Sequence, residues 1–94
     1  MAIIAVTYVY GGDPQELAEH RPRHREFLAQ LHDSGALVAS GPYDDDQPAG
    51  ALLLLRAEDP ESALAALDPD PLLEVGVITE RSARPWKVAI GELA

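Results

Sequence analysis

Cysteine is absent from this 94-residue chain. A disulfide framework, a thiolate metal site and a thiol nucleophile are all excluded. The absence fits a reducing compartment, and the cytoplasm is the expected location. Aromatic residues are scarce, at 5%. Only Tyr8, Tyr10, Phe27 and Trp86 are placed to stack on a ligand, and all four read first as core or interface residues. Basic residues are also few, 7 Lys and Arg against 16 Asp and Glu, for a formal net charge of −9. The basic cluster Arg21, Arg23 and Arg25 is interleaved with His and Glu, so no nucleic-acid partner is expected. Long apolar runs are missing. Residues 1–10 lack a basic leader, and Tyr8 and Tyr10 interrupt their apolar stretch, which argues against a signal peptide. Nothing approaches the length of a membrane span, so no membrane partner is expected.

What is present is the composition of a globular protein: 47% apolar and 24% charged residues. Residues 1–94 are expected to form a single domain. A lone core of this size is marginal, so a partner subunit would add stability. Residues 3–10, rich in Val, Ile and Tyr, form the first strand. Gly11-Gly12-Asp13-Pro14 breaks it, with Asp13 as helix cap and Pro14 in the first turn. The helix runs over residues 15–34, and Pro22 should either kink it or mark its true start. Ser34-Gly35 ends it. Residues 37–42 are a short strand, 43–50 a Pro/Gly/Asp loop and 51–56 a strand apolar on both sides. Within the loop, Asp44, Asp45 and Asp46 lack the spacing and glycine of a calcium loop and read as a solvated turn. Pro60 and Glu61 start a second helix, whose inner face is Ala63, Leu64 and Leu67. Asp68-Pro69-Asp70-Pro71 stops it; residues 72–75 make one irregular turn, 77–84 the last strand, and 87–90 a possible short edge strand.

The order β-α-β-β-α-β predicts an α+β, ferredoxin-like protomer: a four-stranded antiparallel sheet with two helices on one face. Ile4, Val6, Tyr8 and Tyr10 share one side of the first strand, and Ile3, Ala5 and Val9 the other. A sheet apolar on both faces is covered on both. The helices cover one, and a second copy of the chain is expected on the other, as a homodimer through the sheet face.

His24 stands out chemically. At about 100° per residue it falls within the apolar arc of Leu17, Phe27, Leu28 and Leu31. A titratable group there needs a partner. It is either a satisfied core histidine or an acid/base. Asp70 is the candidate partner, because the end of the second helix can lie near the first. A carboxylate on one ring nitrogen fixes the tautomer and leaves the other for a substrate proton. His20, four residues earlier, gives the spacing of a helical zinc pair, but HRPRH is not HExxH and a third ligand is not evident. His32 reads as a surface residue near the helix C-terminus. Asp68 reads as a turn residue. Arg21, one turn before His24, either holds an anionic group or pairs with Glu16 or Glu19. Ser40 reads as a pocket hydrogen-bond donor or turn residue rather than a nucleophile.

These residues resemble a known family. Residues 21–28, Arg-Pro-Arg-His-Arg-Glu-Phe-Leu, are similar to the R-x-x-H-x-x-[FY]-L helix motif of the YCII-related (YciI-like) domain family. Ser40-Gly41-Pro42 resembles its G-P loop after the second strand. Asp70-Pro71-Leu72 followed by Gly76 resembles its D-P-F…G segment, with Leu72 in place of the usual Phe. Arg84-Pro85-Trp86 resembles the start of its C-terminal strand. The resemblance implies a dimeric α+β barrel and a pocket between sheet and helices in which His24 faces Asp70. Arg21, Ser40, Gly41 and Pro42 would then bind substrate. It also implies chemistry of the kind found among relatives that act on small cyclic or aromatic intermediates, dehydrochlorination included; the wider superfamily holds a lactone isomerase, cofactor-free monooxygenases and haem-degrading enzymes.

The expected function is therefore a cofactor-independent, lyase- or isomerase-like enzyme. His24 and Asp70 would catalyse proton transfer (elimination, isomerisation or dehydrochlorination) on a small cyclic or aromatic metabolite. The alternative is a non-catalytic metabolite-binding or regulatory module with the same pocket. A third reading, haem or metal held by His24, finds no attachment motif; no metal or other cofactor is expected.

Overall fold

Strict alternation along the first strand sets the layers of the fold. In the computed structural model, which describes residues 2–45 and 47–93, β1 (Ala2–Tyr10) buries Ile4, Val6 and Tyr8, while the residues between them are half-buried. A period of two puts these three on one face of the sheet. β1 is central. It pairs antiparallel with β3 (Gly50–Ala57) and β4 (Ile78–Trp86), and β2 (Leu37–Pro42) lies outside β3, for the order β2-β3-β1-β4. Leu28 of α1 (Pro14–Asp33) and Ala63 and Leu67 of α2 (Pro60–Leu67) join Ile4, Val6, Leu53 and Leu55 in one core. The chain thus has the expected ferredoxin-like α+β arrangement. Asp46 of the acidic run lies outside the described residues, as do Met1 and Ala94.

Local chemistry explains where α1 begins and ends. Asp13 accepts from the Gln15 amide at 2.9 Å, and Pro14 occupies the first turn, where no N–H is needed. Pro22 neither ends nor restarts the helix, which runs through it. A proline removes one backbone donor, and the exposed Pro22 sits between turns held by the Asp13 cap and Leu17 on one side and by buried His24 and Leu28 on the other. Beyond the Ser34 cap, the Gly35 amide bonds His32 O and the Ala36 amide bonds Leu31 O, each at 3.0 Å. Gly35 adopts φ +89°, the left-handed value this closure requires.

Two expectations need correction. Residues 72–75 are not an irregular turn: Pro71–Glu74 forms a short helix, α3. Asp-Pro at 70–71 caps and opens it as well as stopping α2. Gly76, at φ +77°, lets the Val77 amide reach Leu72 O at 3.0 Å and turns the chain into β4. Residues 87–90 do not form an edge strand. The register pairs Trp86 with Ile3, so beyond Trp86 only Ala2 of β1 is left as a partner.

The face of the sheet away from the helices carries Ile3, Ala5, Leu52, Leu54 and Trp86, with Leu52 37% and Trp86 45% exposed. Among the described residues, no helix is long and apolar enough to cross a membrane.

Candidate functional site

Three elements converge on one carboxylate. α1 delivers His24, α3 begins at Asp70, and β1 sends Tyr8 up from the sheet. The Asp70 side chain is fully buried and His24 is 8% exposed. His24 Nδ1 lies 2.9 Å from both carboxylate oxygens of Asp70. The Leu72 amide donates to Oδ1 at 3.0 Å, and the Tyr8 hydroxyl donates to Oδ2 at 3.1 Å. A buried carboxylate is tolerable when donors surround it, and Asp70 has three.

This arrangement fixes the imidazole. With the Nδ1 proton pointed at Asp70, Nε2 is the nitrogen left for other partners. Nε2 makes no hydrogen bond among the described residues. No side-chain nitrogen or oxygen among them is both sealed from solvent and unpartnered, so Nε2 keeps an open side.

A cavity of about 410 Å³ lies between α1 and the β2–β3 edge, with His24 in its wall. Arg21, Ser40, Gly41 and Pro42 line it too, so the structure brings four of the expected binding residues together with His24. Asp70 stands behind His24 and does not line it. The floor is apolar, from Leu28, Leu37, Ala51 and Leu53. Leu72, where the resemblance would put Phe, is buried in the core away from the cavity.

Arg21 makes no ion pair with Glu16 or Glu19; it is one of the residues that line the cavity. His20 and His24 do not converge as a zinc pair. His20 Nδ1 donates to Glu16 O at 3.0 Å and lies 3.3 Å from Glu16 Oε2, whereas His24 turns to Asp70. Asp68 behaves as a turn residue, capping α2 and pairing with Arg81 at 3.0 Å.

Four residues near the site escape a sequence reading. Tyr8 looks like any core aromatic, yet its hydroxyl braces Asp70. Burial raises its phenol pKa well above the ordinary value, and the Asp70 charge and hydrogen bond push the same way. Tyr10, Arg25 and His32 line the cavity. Burial also raises the Tyr10 phenol, helped by Asp70 and opposed by Arg21. His32 points its Nδ1 at Leu37 O, 3.0 Å away. A helical wheel finds Arg25 and His32: with Arg21 and Leu28 they follow spacings of four, three and four.

Comparison with known proteins gives the family and the fold. The model of the YCII-related domain matches residues 1–87. Protein YciI of Escherichia coli and of Shigella flexneri is each 32% identical over 91 residues, covering 84% of this chain and 93% of the relative. Among solved structures, the fold is similar to a 5-chloro-2-hydroxyhydroquinone dehydrochlorinase from Burkholderia phenoliruptrix in complex with 2,5-dihydroxybenzoquinone (TM-score 0.64, 19% identity, 90% of this chain and 93% of that one). It is also similar to a dimeric ferredoxin-like protein of unknown function from Thermobifida fusca (TM-score 0.51, 15% identity, 93% and 92% covered).

Proposed function

Because the chain belongs to the YCII-related domain family, and its His–Asp pair stands at the wall of a cavity, we propose that it is an enzyme of proton-transfer chemistry acting on small cyclic or aromatic metabolites. The observation that carries the reading is the division of labour within His24. Nδ1 is committed to buried Asp70, Nε2 is left without a partner among the described residues, and His24 stands in the cavity wall.

In this reading Nε2 takes a proton from the substrate and Asp70 holds the ring in place and stabilises the imidazolium. In an elimination the C–H electron pair becomes the new double bond and the leaving group departs with its own pair. In an isomerisation the proton returns at another carbon. Arg21 holds an anionic group of the substrate, and Ser40, Gly41 and Pro42 shape the opposite wall. The side chains supply all the groups this chemistry needs, so the reading invokes no cofactor. The dehydrochlorinase of similar fold performs an elimination of this kind by its name, which supports the reaction class.

The reading takes residues 1–94 as one domain working in the cytoplasm as a homodimer, with a second copy covering Leu52, Leu54 and Trp86. That apolar face lies opposite the helices, and one relative in fold is described as dimeric.

The test is deuterium uptake in D₂O by a panel of small cyclic compounds with acidic C–H bonds, enolisable ketones, lactones and halogenated hydroquinones among them. The wild-type chain should accelerate uptake into at least one compound, and His24→Ala should abolish the acceleration while staying folded. If His24→Ala accelerates uptake as well as the wild type does, His24 is not the base. If no compound responds but some bind, the site is a metabolite-binding module.

A further inference from the structure

The cavity wall has the opposite charge balance from the chain as a whole. Acidic residues outnumber Lys and Arg by 16 to 7, yet among the described residues no carboxylate lines the cavity, while Arg21, Arg25, His24 and His32 all do. The two guanidinium groups make no ion pair or hydrogen bond to any described residue. In so acidic a protein, two cations left without partners beside an apolar floor are suited to an anion that arrives with the ligand.

Helix geometry says where that anion lies. Arg21 precedes His24 by three residues and Arg25 follows it by one, so both backbone positions are within about one turn, or ~5 Å along the axis, of that of His24. His32 is eight residues beyond, about 12 Å away, too far for a single ring seated at His24 to touch. The anionic group therefore belongs on the ring that carries the reacting proton, or one bond from it, rather than at the end of a long tail.

Resting on the proton-transfer reading of the same site, we infer that the substrate is a ring compound bearing one oxyanion, a carboxylate or an ionised enol or phenol. Arg25 is a specificity-determining residue that grips this oxyanion together with Arg21. The ring lies on Leu28, Leu37 and Leu53, and the guanidinium pair turns its acidic position toward His24 Nε2. A neutral ring of the same shape keeps the apolar contact and loses the charge-assisted hydrogen bonds.

The experiment compares benzoate with its neutral isostere benzamide, by NMR titration of the full-length chain and of Arg25→Gln. Arg25 is exposed and bonds to no described residue, so the variant folds. Benzoate should bind about tenfold more tightly than benzamide. Arg25→Gln should remove most of that difference by weakening benzoate alone, and Arg25→Lys should restore part of it. Equal affinity for the two probes, no measurable benzoate binding at millimolar concentration, or an unchanged benzoate affinity in Arg25→Gln each overturns the inference. Deuterium uptake reports separately on His24. Anion-selective binding without uptake leaves the charge selection standing and removes only the enzyme reading; uptake without selectivity does the reverse.

Discussion

Tyr8 and His24 share one oxygen of Asp70: the phenol hydroxyl lies 3.1 Å from Oδ2 and the imidazole Nδ1 2.9 Å from it. The two rings sit with centroids 6.5 Å apart, tilted by 48°. A strand residue and a helix residue are thereby tied through a third element, and the orientation of His24 depends on the sheet beneath it.

Replacing the carboxylate by its amide tests the tie at its centre. Asp70→Asn keeps the shape, but its –NH₂ cannot accept and must face one of the donors that now converge there. Once a responsive compound is in hand, its deuterium-uptake rate should fall by about 10²–10⁴-fold. Circular dichroism should still show a folded chain.

Removing only the brace has a smaller effect. Tyr8→Phe deletes a buried hydroxyl and leaves Asp70 bonded to His24 and the Leu72 amide. Urea unfolding should show a loss of about 1–2 kcal/mol, and uptake should fall less than in Asp70→Asn. A loss of activity equal to that of Asp70→Asn would give Tyr8 a larger share in the chemistry.

Alkali should unfold the protein for an identifiable reason. The Tyr8 phenol is raised in the native state, first by burial and then by Asp70, and Tyr10 is raised too. In the unfolded chain both ionise near pH 10. Above that pH the native state holds more protons than the unfolded one, so stability, full below about pH 10, falls as pH rises. Urea midpoints measured from pH 8 to 11 should decline above 10, and less steeply in Tyr8→Phe.

A charge on the open face of the sheet tests the dimer. Leu52→Asp should convert a dimer to a monomer in light scattering, because an unpaired carboxylate in a desolvated interface is costly. His24 and Asp70 lie on the other face, so the variant should keep its fold. A wild-type chain that is monomeric at high concentration excludes this mode of pairing.

Much of this architecture is legible in the sequence because it rests on short-range rules. Alternation in residues 3–10, the Asp13-Pro14 cap and Ser34-Gly35 each act within a few residues, and each holds in the structure. His24 is legible because a polar residue in an apolar arc demands an explanation, and Asp70 because the topology brings its segment back to the first helix. Tyr8 is not, since alternation buries a tyrosine without revealing what its hydroxyl meets. His32 is read as a surface residue and Arg25 only as part of a basic cluster, because their place in the cavity wall depends on β2 lying across from them, a non-local fact. The edge strand over residues 87–90 fails for a similar reason: propensity is local, but a strand needs a neighbour in register.

Asp70 caps α3 through the Leu72 amide with the same carboxylate that holds His24. Position 70 therefore answers to two selections at once. A library screened for yield of soluble protein and one screened for turnover should both return aspartate there, whereas at position 24 the first should accept other side chains that donate to Asp70 and only the second has reason to insist on histidine. The contrast between the two positions separates architectural demand from chemical demand without any knowledge of the substrate.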